Sequence, residues 1–162
     1  MTKKLKIYLD TSVINFLFAA DAPEKQEITI EFFENYIEEY DVYISDSVIA
    51  EIMRTTNNEK LVLLISAIEK YKLTIYKSIS NEIDLLAKIY LENQIVPINQ
   101  VYDAIHLSFA TFYEFDILLS WNFKHLANIK VQNKLRSLNL KIGYLKELLL
   151  LNPMELIYDK QS

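Results

Sequence analysis

Short apolar runs of β character alternate along this chain with longer stretches of helical periodicity, and that alternation confines it to α/β architectures built on a parallel sheet. Lys6-Ile-Tyr-Leu9 is the first such run. It ends in Asp10-Thr11-Ser12, and the apolar Val13-Ile14-Asn15-Phe16 follows, so strand, turn, helix is the natural parse, with Thr11 or Ser12 as N-cap. Pro23 fits the first turn of a second helix reaching about residue 39, with Ile28, Phe32, Phe33, Tyr36 and Ile37 at helical spacing. Val42-Tyr43-Ile44 reads as a second strand, and Ser45-Asp46-Ser47 offers capping side chains for a third helix that carries Glu51 one turn in. Helical periodicity returns over residues 58–71, 81–93 and 102–113, with a β-like Leu73-Thr74-Ile75-Tyr76 between the first two. Ile117-Leu118-Leu119 is wholly apolar between Asp116 and Ser120, the pattern of a strand buried on both faces of a parallel sheet.

At 162 residues the chain is expected to form one domain, 1–162, with a sizeable core. It has no Cys, which removes disulfides, zinc–thiolate sites and thiol nucleophiles together. Two histidines, His106 and His125, are too few for a histidine-rich zinc site. No stretch approaches the roughly 20 apolar residues of a membrane span. Asp10 interrupts the apolar segment after the basic N-terminus before it can serve as a signal peptide, so a cytoplasmic location is expected.

The net charge of −5 sits awkwardly with nucleic-acid binding, because phosphate contacts come mainly from Lys and Arg. The charge is unevenly spread. Lys124, Lys130, Lys134, Arg136, Lys141 and Lys146 fall in a segment without a single acid, which makes either a basic face for a ligand or simply a solvated basic helix.

Four polar positions occupy comparable places: Asp10 after the first strand, Glu51 after the second, Asp103 opening a late helix, and Ser120-Trp121-Asn122 after the buried strand. In a parallel sheet these ends share one edge, where ligands collect. Carboxylates gathered there repel one another unless protonated or metallated, and hard oxygen ligands suit Mg²⁺ or Mn²⁺. Each residue also has a plainer reading. Asp10 can be a helix cap, Glu51 an exposed helix residue, Asp103 an acid favoured by the helix dipole, and Asn122 a turn residue.

The blocks themselves resemble a known family. Lys6-Ile-Tyr-Leu-Asp-Thr-Ser-Val-Ile14 looks like the opening strand and first acid of PIN domains, and Val42-Tyr-Ile-Ser-Asp-Ser-Val-Ile-Ala-Glu-Ile52 like their second strand and helical glutamate. Asp103-Ala-Ile-His-Leu-Ser-Phe-Ala110 resembles the segment with their third acid, and Asp116-Ile-Leu-Leu-Ser-Trp-Asn-Phe-Lys-His-Leu126 their last signature. Asn152-Pro-Met-Glu-Leu156 is similar to the tail of one bacterial group. The resemblance, which includes similarity to VapC-type toxin ribonucleases, implies an α/β domain with a central parallel sheet sandwiched by helices. It implies Asp10, Glu51 and Asp103 as ligands of Mg²⁺ or Mn²⁺, and Asn122 as a fourth catalytic position where many members have an acid. It further implies an RNA substrate with Ser120 near the scissile phosphate, a possible protein antitoxin as partner, and a homodimer; Thr11, Trp121 and Lys124 join Ser120 as candidate substrate contacts by their place beside the site. His106 can approach the site but has a packing reading, as Asp116 has a structural-cap reading; Trp121 can stack on a base or pack half-buried, and Lys124 and His125 can contact phosphate from the surface.

Two other classes compete. A PIN-fold module that binds RNA or protein without cleaving is kept open by Asn122. A phosphoryl-transfer domain with Asp10 as nucleophile is disfavoured, since a dehalogenase-like site needs an acid at position 12, which is Ser, and a receiver needs acids where Tyr8 and Leu9 stand.

Overall fold

The computed structural model describes residues 3–77 and 80–157. Five parallel strands, β1 (Lys6–Leu9), β2 (Asp41–Ser45), β3 (Thr74–Tyr76), β4 (Ile117–Leu119) and β5 (Leu149–Leu151), form one sheet in the order β3-β2-β1-β4-β5. Chain order runs outward from β1 in one direction and then resumes with β4 on its other side. The reversal of order therefore falls between β1 and β4, where an open parallel sheet forms its crevice. Register brings Leu9 opposite Leu119, so Asp10 and Ser120 leave the sheet side by side.

The flanking helices are α1 (Thr11–Phe16), α2 (Pro23–Glu31), α3 (Asp46–Met53), α4 (Asn58–Lys70), α5 (Asn81–Glu92), α6 (Val101–Phe112), α7 (Ile129–Ile142) and α8 (Pro153–Ile157). Ile7, Tyr8 and Leu9 are all fully buried, as are Leu118 and Leu119, and successive strand residues point to opposite faces, so β1 and β4 are covered on both sides. That double cover explains why their sequence shows no alternation.

Three details differ from the sequence reading. The helix expected from Pro23 to about residue 39 changes form, through a widened π-type turn at Phe32–Tyr36 and a 3-10 turn at Ile37–Glu39. At α1 the N-cap position belongs to Asp10, whose carboxyl makes no cap bond, while the hydroxyls of Thr11 and Ser12 turn toward carboxylates instead. Strand β5 and helix α8 have no counterpart in the sequence reading. The basic segment after Lys124 is a helix, α7, capped by Asn128 at one end and closed at the other by Gly143 in the left-handed region (φ 99°).

Candidate metal and nuclease centre

Asp10 is 3% exposed at the carboxyl end of the central strand. Ser12 Oγ donates to its Oδ1 (2.5 Å) and Ser120 Oγ to its Oδ2 (2.5 Å). The same two hydroxyl oxygens accept the backbone N–H of Trp121 (2.9 Å) and of Asn122 (2.9 Å). The turn after β1 and the loop after β4 are thereby stapled together around one carboxylate.

Glu51 comes to this edge on α3, which Ser45 caps by accepting the Val48 N–H. Thr11 Oγ1 donates to Glu51 Oε1 (2.6 Å), and His106 Nε2 meets the same oxygen at 2.6 Å. His106 is 1% exposed, and its Nδ1 lies 2.6 Å from the hydroxyl of buried Tyr8, which in turn lies 2.8 Å from Ser45 Oγ. With a neutral ring, Nε2–H donates to Glu51 and Nδ1 accepts from Tyr8; with a charged ring, Nδ1–H donates to Tyr8, which then donates to Ser45. Either state leaves every group bonded.

Asp103 sits in the first turn of α6 and accepts from Asn122 Nδ2 (3.2 Å), while Asn122 Oδ1 accepts the His125 N–H (3.0 Å). Asn122 is thus both the turn residue and a neighbour of the third acid.

The electrostatics tie these residues into one centre. Burial pushes Asp103 up to about 6, with the charges of Asp10 and Glu51 adding to the shift and His106 opposing it. Burial also raises Asp10, against the pull of His106, Ser12 and Ser120. For Glu51 burial pushes upward too, but the hydrogen bond and charge of His106, helped by Thr11, win and hold it below the usual carboxylate range. His106 moves up for the complementary reason: burial disfavours its charge, and Glu51, Asp10 and Asp103 more than compensate.

A family model described as the PIN domain matches residues 7–127, which contain all of these groups. The chain belongs to the PIN domain family. Among solved structures, one chain of the crystal structure of VapBC2 from Rickettsia felis bound to a DNA fragment from their promoter is similar, with a TM-score of 0.53 and 17% identity over 91% of this chain and 98% of that chain. Identity that low speaks for the fold alone. No curated protein matches the chain.

The PIN fold brings Asp10, Glu51, Asp103, Asn122, Thr11 and Ser120 to one edge. Among the described residues, however, no three acid or imidazole side chains stand close enough to form a ready metal cage. Of its two readings Trp121 takes the packing one: it is 4% exposed, its ring meets Phe16 and Phe123, and it donates Nε1–H to Thr29 (2.8 Å). Lys124 is exposed beyond Asn122. Asp116 lies at the opposite end of β4, where it accepts from the Lys6 N–H (2.8 Å) and Lys146 Nζ (2.5 Å), a structural cap as read.

Sequence reasoning gave Tyr8 and Ser45 no role at the site and undervalued Ser12 and His106. The Asp103-to-His106 spacing, three residues on one helical face, was the available signal for His106. No signal in the sequence pairs Tyr8 with residues 37 and 98 positions away.

Proposed function

We propose that this PIN protein is a divalent-metal-dependent endoribonuclease that hydrolyses RNA phosphodiester bonds, with Asp10, Glu51 and Asp103 as ligands of Mg²⁺ or Mn²⁺. The observation that carries the reading is the placement of Asp10, Glu51 and Asp103 on one sheet edge, where burial raises Asp10 and Asp103 and the charges of Asp10 and Glu51 push Asp103 further up. Such crowding is unfavourable in the metal-free protein and is relieved by a cation.

The donor chemistry fits. All three side chains offer hard oxygens and no sulfur, as a small divalent ion prefers. Each oxygen of Asp10 already accepts a hydroxyl, but a carboxylate oxygen has a second lone-pair site. Glu51 Oε2 and Asp103 Oδ1 accept no hydrogen bond among the described residues. When bound, the ion supplies charge to polarise the phosphate and lowers the pKa of water. Thr11, Ser12, Ser120 and His106 orient the acids, and Asn122 contributes a neutral amide beside Asp103.

The reading extends to a toxin restrained by a protein antitoxin, as the VapBC pairing of the similar structure suggests, acting as a homodimer in the cytoplasm. No helix among the described residues is long and apolar enough to cross a membrane. Asn122, a neutral amide beside Asp103, favours the second reading, a PIN module that binds RNA or protein without cleavage.

Anomalous scattering from Mn²⁺-soaked crystals, paired with RNA cleavage by wild type and Asp103→Asn, tests the proposal. Density between Asp10 and Asp103 and cleavage lost in the variant are expected. Manganese bound elsewhere, or a variant as active as wild type, would sink it.

A further inference from the structure

Beyond Asn122 the surface opens into a trough of about 820 Å³ between the end of α5 with its following loop and the N-terminal half of α7. A second hollow of about 550 Å³ shares Gln94, Ile95 and Lys134 with it and continues to Lys141. One wall is aliphatic, from Ile95, Pro97 and Ile98, and the other is basic, from Lys124, Lys130, Lys134 and Lys141.

The lysines are neither scattered nor paired. At about 100° per residue, Lys130, Lys134 and Lys141 fall within about 40° of one another around α7 and span about 16 Å of its length. All four are exposed, and none forms an ion pair among the described residues. The neighbouring basic groups behave differently: Arg136 lies off that face and pairs with Glu147 (3.6 Å), and Lys146 pairs with Asp116 (2.5 Å). Among the described residues, the only acid lining either hollow is Glu92. In a chain of net charge −5, a line of uncompensated lysines that starts two residues after Asn122 is a local reversal of sign.

We propose that this trough is a track for single-stranded RNA, holding the nucleotides that flank the bond presented to Asp10 and Asp103. The lysines take successive phosphates and the aliphatic wall lies against sugars and bases. This rests on the ribonuclease reading and assigns its substrate path. A line of charge suits RNA better than an acidic peptide, because the phosphates of a strand repeat along a line while a peptide's acids need not. The track joins the acidic centre through Asn122, whose amide bonds Asp103 and whose carbonyl caps the backbone of His125 in the trough wall.

The test is binding of a labelled oligouridylate to the full chain in EDTA, as a function of salt. The double variant Lys130→Gln/Lys134→Gln should bind about tenfold more weakly, and its log–log salt slope should fall by about 0.7 for each phosphate that is no longer neutralised. Arg136→Gln, which removes the same kind of charge from the other face, should bind as wild type does, and circular dichroism of all variants checks the fold. Equal affinity and slope in the double variant, or no oligouridylate binding by wild type, overturns the track and leaves the face to a protein partner. Lysine-dependent binding without Mn²⁺-dependent cleavage would instead remove the ribonuclease reading and leave the track standing.

Discussion

His106 Nε2 stands 2.6 Å from Glu51 Oε1, and because Thr11 donates to the same oxygen, the glutamate presents Oε2 alone to the cleft. The imidazole is itself fixed from behind by Tyr8. Partners of this kind orient metal-binding acids, and their removal typically costs 10- to 100-fold in metal affinity. His106→Ala should therefore weaken Mn²⁺ binding in calorimetry by about tenfold or more, although His106 is not itself expected to touch the ion. Affinity equal to wild type would show that Glu51 needs no such support.

Tyr8→Phe keeps the buried ring and deletes only the hydroxyl that links Ser45 to His106. Leaving buried polar partners unsatisfied costs about 1–3 kcal/mol, so the variant should melt measurably below wild type. An unchanged melting temperature would mean that the link from β1 to α6 does not hold the centre together.

The scaffold was more legible than the centre. Strands β1 and β4 announce themselves because burial on both faces removes the polar half of the usual alternation, Asp10 and Glu51 follow from where β1 and β2 end, and Asp103 from where α6 begins. Strand β5 (Leu149–Leu151) was hidden because a short run of leucines fits a helix as well as a strand, and only its pairing with β4 decides between them. The roles of Tyr8 and Ser12 were hidden for a different reason. A buried tyrosine reads as core, and a serine after an aspartate reads as a cap, until the fold supplies the partner. For Trp121 the sequence leaves stacking and packing open, because the partner that satisfies its indole N–H inside the core, Thr29, lies 92 positions away.

Stability of the metal-free protein should depend on pH through Asp103. Its folded pKa, about 6, lies above its ordinary value of 3.8, so the folded state holds the proton more tightly than the unfolded one across that window. Stability should accordingly fall as pH rises from about 4 through about 6, and Asp10, shifted the same way, adds to the fall. Asp103→Asn should melt higher than wild type at neutral pH in EDTA and show a flatter profile, with cleavage abolished. A wild-type melting temperature that climbs over the same range would contradict the assignment.

Changing Asn122 to Asp should have opposite consequences with and without metal. In the wild type its amide N–H₂ donates to Asp103 Oδ2 while its carbonyl caps the His125 N–H. An aspartate can keep the cap, since a carboxylate oxygen accepts as well as an amide oxygen, but it replaces the donor facing Asp103 with a fourth negative charge. In EDTA the added repulsion should lower the melting temperature, most at pH values above about 6 where Asp103 is ionised. With Mn²⁺ the same charge becomes attractive, and calorimetry should show tighter binding or a second equivalent of metal, with activity retained or increased. If Asn122 serves only as a cap, both the metal-free melting temperature and the Mn²⁺ isotherm should match wild type. Loss of cleavage with an unchanged isotherm would defeat both accounts, and would place the amide N–H₂ as a donor to the substrate phosphate instead.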